Sequence, residues 1–406
     1  MNAVRMGATI AKLRKTRGFT QLRLAEMLNV STKTVSKWEC GGGYPEITMI
    51  PVLCELFGVS ADYLLRGDTE GIAIAGNLIA DIVNIIDKYP EKLMLATVYS
   101  MERAVGGCVP NTLIDIAKMD SDIYLKAIGR VGNDDNGRFI ISELNKHGID
   151  TGGLQIDNKR PTASCSVMSE KTGGARTFFS FCGANAEFSI EDVDVDNLEC
   201  KLFHLGYILL LESLDEPDPV YGTKAARLLD IVSKKGIKTS IDAVSEEGER
   251  LSKTVKPALP YCDYVILNEI ETCQIAGVSP HTDDGEMNFA NIKKAMGALI
   301  SLGVREKVIV HCTAAGMIMN RDGSFELVPS LDIPAEQIKG SVGAGDAFAA
   351  GCLYGLYKGF GDRQILEYAS AAAACNLFAS DSVSGMKKRD EIEKMDTMYQ
   401  RRKLEI

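Results

Sequence analysis

Up to about Leu65 the apolar positions recur every three or four residues; from Ile72 onward they gather into short unbroken runs separated by stretches of helical spacing. Met6, Ile10 and Leu13 mark one helical face, which Arg17-Gly18 ends. Thr20 is a candidate N-cap for a second helix carrying Leu22, Leu24, Ala25 and Leu28. Asn29-Val30 makes a tight turn, and Ser31 caps a third helix running to about Glu39, where Gly41-Gly42-Gly43 breaks it. Two further helices, over 47–57 and 60–65, complete an all-helical domain spanning 1–66, and the polar stretch 67–71 reads as a linker.

The body follows another rhythm. Buried strands are predicted at 72–75, 125–128, 202–205, 238–241, 264–267 and 308–310, with helices at 112–119, 137–147, 221–235 and 291–302 between them. That alternation predicts an α/β domain over 72–395, a doubly wound and mostly parallel sheet with helices on both faces. The segments 92–104 and 162–181 have β character and break the pattern; the second has a hairpin-like centre at Lys171-Thr172-Gly173-Gly174. They predict a small accessory sheet, drawn from about 85–105 and 160–183, that covers a site as a lid. The charged stretch 387–406, of which 396–406 form a tail beyond the domain, is expected to be a surface helix or a frayed end.

Composition narrows the partners. Apolar residues make up 46% and charged residues 25% of the chain, and no apolar run is long enough to span a bilayer, so the expectation is a cytoplasmic protein with no membrane partner. Eleven cysteines occur without a C-x-x-C pair, which argues against a zinc site or a disulfide framework. Residues 1–66 hold nine Lys and Arg against five Asp and Glu, a net of +4, whereas the rest of the chain carries −14. A basic head on an acidic body assigns any polyanion to the head.

In the head, a helix starting at Ser31 places Ser31, Thr32, Lys33, Ser36 and Lys37 around its exposed side, with Val35 and Trp38 inward. Small polar and cationic side chains at the front of such a helix suit the major groove, and Gln21 stands where it can donate to a phosphate. Thr20-Gln21, Leu24-Ala25, Val30-Ser31, the run from Thr34 to Glu39, Tyr44-Pro45 and the run from Phe57 to Ser60 together resemble the Xre/Cro-repressor family of helix-turn-helix domains. The resemblance implies binding to double-stranded DNA and, since such domains bind paired half-sites, a homodimer.

The sharpest pattern in the body is Gly340-Ser341-Val342-Gly343-Ala344-Gly345-Asp346, followed by an apolar helix. Small residues let backbone N–H groups approach an anion, and the helix adds its positive N-terminal end. Asp346 falls in the first turn. Such an arrangement performs phosphoryl transfer without a P-loop, the amides holding charge and the carboxylate taking a proton from the attacking hydroxyl. No G-x-x-x-x-G-K-[ST] occurs in the chain.

Further motifs appear in order: the run from Ala104 to Asn111 with its Gly106-Gly107 pair, the run from Ile128 to Gly137 with G-R-V-G-N-D, and Asn268-Glu269-Ile270-Glu271. With the Gly-Ala-Gly-Asp element they resemble the ribokinase-like (PfkB) carbohydrate kinases from Gly76 to about Glu391. The resemblance implies a ribokinase-like fold and ATP-dependent phosphorylation of a primary hydroxyl of a sugar or sugar-like compound, with magnesium. Asp346 would be the base and Gly343, Ala344 and Gly345 the anion hole. Asp81, Gly107, Asn111, Asn185 and Asp242 would contact the acceptor, and Asn268 and Glu271 would organise magnesium through water. His311, Thr313, Gly316 and Ser370 would line the nucleotide pocket. Two positions depart from the family: Thr313 replaces a Gly of its T-x-G-x-x-G turn, and Gly340 stands where relatives carry an Asp that helps bind a monovalent cation. A nucleoside acceptor and a ligand-sensing regulator without turnover remain as alternatives.

Overall fold

The computed structural model describes residues 3–59, 61–66, 71–171, 176–246 and 248–404. The chain divides into two compact units, the first up to Gly71 together with Asp122–Tyr124, the second Ile72–Ser121 together with the chain from Leu125.

The first unit consists of α1 (Ala3–Thr16), α2 (Gln21–Met27), α3 (Thr32–Glu39), α4 (Met49–Phe57) and α5 (Ala61–Arg66). Thr20 Oγ1 accepts from the Arg23 amide at 3.0 Å and Ser31 Oγ from the Thr34 amide at 3.0 Å, so each cap satisfies an N–H that its helix leaves open. Asn29 turns the chain between α2 and α3 with φ 54°, a left-handed conformation that Asn tolerates better than most side chains. Met6, Ile10, Leu24, Val35, Trp38, Leu53 and Phe57 pack as one core. Ser60, the expected start of the last helix, and 67–70 of the expected linker lie outside the described residues.

The second unit contains β1 (Ile72–Ala75), β2 (Ile79–Ile86), β3 (Val98–Gly106), β4 (Leu125–Gly132), β5 (Asp150–Asp157), β6 (Ser164–Glu170), β7 (Arg176–Phe181), β8 (Leu202–Ile208), β9 (Pro217–Asp218), β10 (Gly222–Thr223), β11 (Lys238–Ala243), β12 (Tyr264–Asn268), β13 (Lys307–His311), β14 (Ala315–Asn320) and β15 (Phe325–Pro329). Its helices include α6 (Cys108–Met119), α7 (Asp135–Lys146), α8 (Glu212–Asp215), α9 (Lys224–Ser233), α10 (Arg250–Val255), α11 (Glu269–Ala276), α12 (Phe289–Ser301), α13 (Ala344–Lys358) and α14 (Asp362–Asn376). The main sheet runs β15-β14-β13-β12-β11-β8-β1-β4-β5. Strands β13 to β5 in that order are parallel, and β14 and β15 close one edge antiparallel. The six predicted strands form its contiguous middle. β1 is buried at every position, as a strand covered on both faces must be.

A second sheet runs β3-β2-β6-β7. It is the expected accessory sheet with different strands. Its first strand is β2, which the sequence reading did not recognise, because I-A-D-I-V-N-I-I carries apolar residues at helical as well as alternating spacing. The next strand begins at Val98 rather than near residue 92, since Leu93 lies fully exposed with φ 74° in the connecting turn. The centre of the expected hairpin, 172–174, lies outside the described residues. In the tail, short helices at Arg389–Ile392 and Met395–Met398 agree in part with the expected surface helix. Instead of fraying, Gln400 and Arg402 run antiparallel to the segment after β15: the Asp332 amide donates to Gln400 O at 2.8 Å and the Arg402 amide to Ser330 O at 2.9 Å.

Candidate active site

The carboxyl ends of β1, β8, β11, β12 and β13 gather at one edge of the main sheet, where open α/β sheets bind ligands. Those ends bring Asn77, Tyr207, Asp242, Asn268 and His311 towards the start of α13. Gly343 precedes α13 with φ 78°, and a Cβ there would lie 2.7 Å from Ser382, so the turn needs glycine for both conformation and space. The Ala344 amide bonds back to Ser341 O at 3.2 Å. The Gly345 and Asp346 amides have no backbone acceptor among the described residues, as expected in a first helical turn.

Asp346 is buried, and its oxygens are engaged by two other elements. Asn111 Nδ2, on α6, donates to Oδ2 at 2.8 Å, and the Tyr207 hydroxyl, at the end of β8, donates to Oδ1 at 2.8 Å and Oδ2 at 2.9 Å. Asn111 is itself oriented by Ser382, whose Oγ lies 2.8 Å from Asn111 Oδ1. Burial raises the Asp346 pKa to about 6, with Asp242 adding to the rise and the bonds from Asn111 and Tyr207 opposing it.

The expected acceptor contacts separate on inspection. Asp81 lies on β2 between Ala104 and Cys165, its carboxylate over Gly106. Burial, then the charge of Asp346, raises its pKa to about 6. Gly107 has φ 86° at the start of α6, and its Cβ position is filled by Asn77 O at 2.5 Å. Asn111 and Asp81 thus come together around Asp346. Asn185 does not join them. Its Nδ2 donates to Leu78 O at 3.1 Å, its Oδ1 accepts from the Leu78 amide at 3.3 Å, and it is only 1% exposed. Its amide braces the turn after β1 rather than facing a ligand. Asp242 accepts a short bond from the Tyr207 amide and lies 3.4 Å from His204 Nε2, so it anchors the end of β8 while lining the cleft.

Asn268 and Glu271 form a reciprocal cap at the start of α11: Asn268 Oδ1 accepts from the Glu271 amide at 2.8 Å, and Glu271 Oε2 from the Asn268 amide at 3.0 Å. Ser245 donates to Glu271 Oε1 at 2.9 Å. Burial raises the Glu271 pKa to about 7, against the bonds from Asn268 and Ser245. Both residues line a cavity of about 270 Å³ that also holds Asp242, Gly343, Gly345 and Asp346. Among the described residues no three His, Cys, Asp or Glu side chains are grouped to hold a metal ion. The oxygen donors present fit a magnesium ion held through water, because that ion keeps much of its hydration shell.

A second cavity, of about 320 Å³, shares His311 and Gly345 with the first and extends over Thr313, Phe348, Ser370 and Arg402. Ser370 Oγ is buried there without a partner, an unsatisfied group that a nucleobase edge would complete. The His311 ring lies 4.9 Å from that of Phe348, tilted by 36°, and burial pushes its pKa down to about 4, so it stays neutral. Gly316 does not line this cavity. A Cβ there would lie 3.1 Å from Phe348 and Leu366, so Gly316 allows close packing behind the wall. Sequence reasoning missed Tyr207, Ser382 and Arg402. For Tyr207 the available signal was its place at the carboxyl end of a central strand; the other two come from late segments with no motif.

In the first unit, Ser31, Thr32, Lys33 and Lys37 are exposed and Ser36 is half-buried on α3. Ser31 Oγ is engaged as the cap. Gln21 Nε2 donates to Glu39 Oε2 at 2.7 Å, beside the Arg14–Glu39 pair at 2.6 Å. Gln21 is therefore tied to the α1–α3 packing through one of its two side-chain N–H donors, which leaves the other for a phosphate. Burial favours the neutral form of Glu39, but the bonds from Arg14 and Gln21 outweigh it and lower its pKa.

Comparison with known proteins agrees with this geometry. Residues 70–389 match the pfkB family carbohydrate kinase pattern, and residues 10–64 match a helix-turn-helix pattern. The ribokinase of Arabidopsis thaliana is 25% identical over 329 residues, covering 80% of each chain. The 5-dehydro-2-deoxygluconokinase of Geobacillus thermodenitrificans is 24% identical over 333 residues, covering 78% of this chain and 90% of its own. Among solved structures, the ribokinase of Thermotoga maritima superposes with a TM-score of 0.66 at 22% identity, over 81% of this chain and 99% of that one. Arabidopsis thaliana ribokinase complexed with ribose and ATP gives 0.66 at 21% identity, over 80% and 98%. No helix among the described residues is long and apolar enough to cross a membrane. With its fold, its ordered motifs and the match over 70–389 in agreement, the chain belongs to the pfkB family of carbohydrate kinases and carries a helix-turn-helix domain of the Xre type at its N-terminal end.

Proposed function

We propose that the second unit transfers the γ-phosphoryl group of ATP to a primary hydroxyl of an uncharged sugar or nucleoside, and that the first unit binds double-stranded DNA. The observation that carries the enzymatic reading is the buried Asp346 carboxylate in the first turn of α13, in one cavity with Gly343, Gly345, Asn268 and Glu271. MgATP, when bound, supplies the electrophilic phosphoryl group. Asp346 takes the proton of the acceptor hydroxyl as its oxygen attacks, and the open amides of Gly345 and Asp346, presented by the turn through Gly343 and Ala344, hold the charge that develops. Asn268 and Glu271 keep oxygen donors fixed beside the phosphates. Ser370, Thr313 and neutral His311 line the base end of the cleft.

The choice of an uncharged acceptor follows from charge. The charge of Asp346 adds to the rise at Asp81 and that of Asp242 to the rise at Asp346, and the groups with the largest effect on either carboxyl include no Lys or Arg. A sugar acid or sugar phosphate placed there would meet like charges in a poorly solvated site. Labelled ATP incubated with neutral sugars, nucleosides, sugar acids and sugar phosphates tests this reading. Transfer to one or more neutral compounds is expected, and transfer confined to anionic compounds would overturn it. The competing reading, a ligand-sensing regulator without turnover, rests on Gly340 and Thr313 departing from the family pattern. It predicts thermal stabilisation by the same neutral compounds with no transfer.

A further inference from the structure

We propose that Tyr207 is a positioning residue for the base: its hydroxyl fixes the orientation of the Asp346 carboxylate and keeps that carboxylate ionised in the working pH range. The proposal rests on the reading of Asp346 as proton acceptor.

Tyr207 has φ 56°. That is a left-handed conformation, which a bulky side chain keeps only where the surroundings impose it. Here they do. Gly206 precedes it, and a Cβ on Gly206 would lie 1.9 Å from Cys108 Sγ, so the end of β8 is pressed against α6. The Tyr207 amide donates to Asp242, and its carbonyl accepts from Asn77 Nδ2 at 3.4 Å. This strained backbone delivers the hydroxyl to both Asp346 oxygens, at 2.8 and 2.9 Å.

The chemistry of the contact is one-directional. Burial, then the charges of Asp346 and Asp242, raises the phenol pKa well above its ordinary value, so Tyr207 remains a donor. Asn111 adds a second donor to Oδ2. Oδ1 therefore keeps a lone pair for the acceptor hydroxyl. The other titratable groups facing this carboxyl are Asp242 from β11, His204 from β8, Asp81 from β2, and Asp115 and Cys108 from α6. Of these, Asp242 favours protonation of Asp346, and the phenol donor opposes it; Asp346 in turn raises the pKa of Asp81, Asp115 and Cys108.

Tyr207→Phe removes the donor and leaves the ring. In the wild type the acid limb of kcat is expected near pH 6. In Y207F that limb should move up by about one pH unit, a roughly tenfold rise in proton affinity, with kcat largely recovered above pH 9 and the KM for ATP unchanged. Carboxyl 13C NMR, with the Asp346 resonance assigned through D346N, reads the same shift without turnover, so failure of the kinase reading stays separable from failure of this one. 3-Fluorotyrosine at position 207, a stronger donor that keeps the side chain's shape, should move the titration the opposite way and serves if Y207F does not fold. An Asp346 titration unmoved in both proteins overturns the proposal, as does a loss of kcat that is equal at every pH.

Discussion

A carboxylate buried beside Asp242 and held near pKa 6 titrates within reach of ordinary assay buffers. As a general base it must be ionised, so kcat should rise with pH through about 6 and reach roughly one-tenth of its plateau near pH 5. The same shift bears on stability. The folded state binds this proton more tightly than the unfolded chain, so the cost of ionisation is fully present above pH 6 and absent below the ordinary carboxyl value. D346N should therefore melt at a higher temperature than the wild type at pH 7.5, with the gain fading as pH approaches 4 in a pair of thermal scans. Asn185 supplies a contrasting case. Removing its two bonds to Leu78 in N185A should destabilise the fold by about 1–3 kcal/mol in denaturant titrations, with the acceptor KM unchanged. Gly343, Asp346 and Asn111 were legible because their types fall in short local motifs. The task of Asn185 was not, because its partner stands 107 residues away in sequence and is backbone.

At the scale of elements, unbroken apolar runs disclosed the middle of the main sheet, since a strand covered on both faces has no polar side to hide it. β2 stayed hidden because its spacing serves helix and strand alike, and with it the setting of Asp81 between two neighbouring strands. The pairing of residues 400–402 with 330–332 was unreadable for another reason: its stabilisation is backbone hydrogen bonding, which leaves no side-chain signature. That strap places Arg402 on the wall of the cavity lined by Ser370 and His311. Ending the chain after Met398, or R402A alone, should raise the KM for ATP several-fold while leaving the acceptor KM in place, as initial-rate measurements against each substrate will show. On α3, Lys33 faces outward in the first turn, beside the Ser31 cap, and Lys37 faces outward in the last turn. The double variant K33A/K37A should weaken DNA binding across all sequences and lower the salt dependence of log Kd by about two, read by fluorescence anisotropy at several salt concentrations. An unchanged salt slope would remove this face from the interface.

For the molecule as a whole, charge divides the labour. The basic first 66 residues suit a polyanion, and on the proposed reading the acidic remainder would bind phosphates through local geometry, with glycine turns, helix amides and fixed oxygen donors in place of bulk positive charge. The central claim, that this geometry transfers a phosphoryl group with Asp346 as base, meets its most direct test in single-turnover transfer from labelled ATP by wild type and D346N, with ATP affinity measured calorimetrically for both. The account predicts a transfer rate about a thousandfold lower in D346N with ATP affinity within threefold of the wild type. Transfer by D346N at a rate within tenfold of the wild type would contradict it.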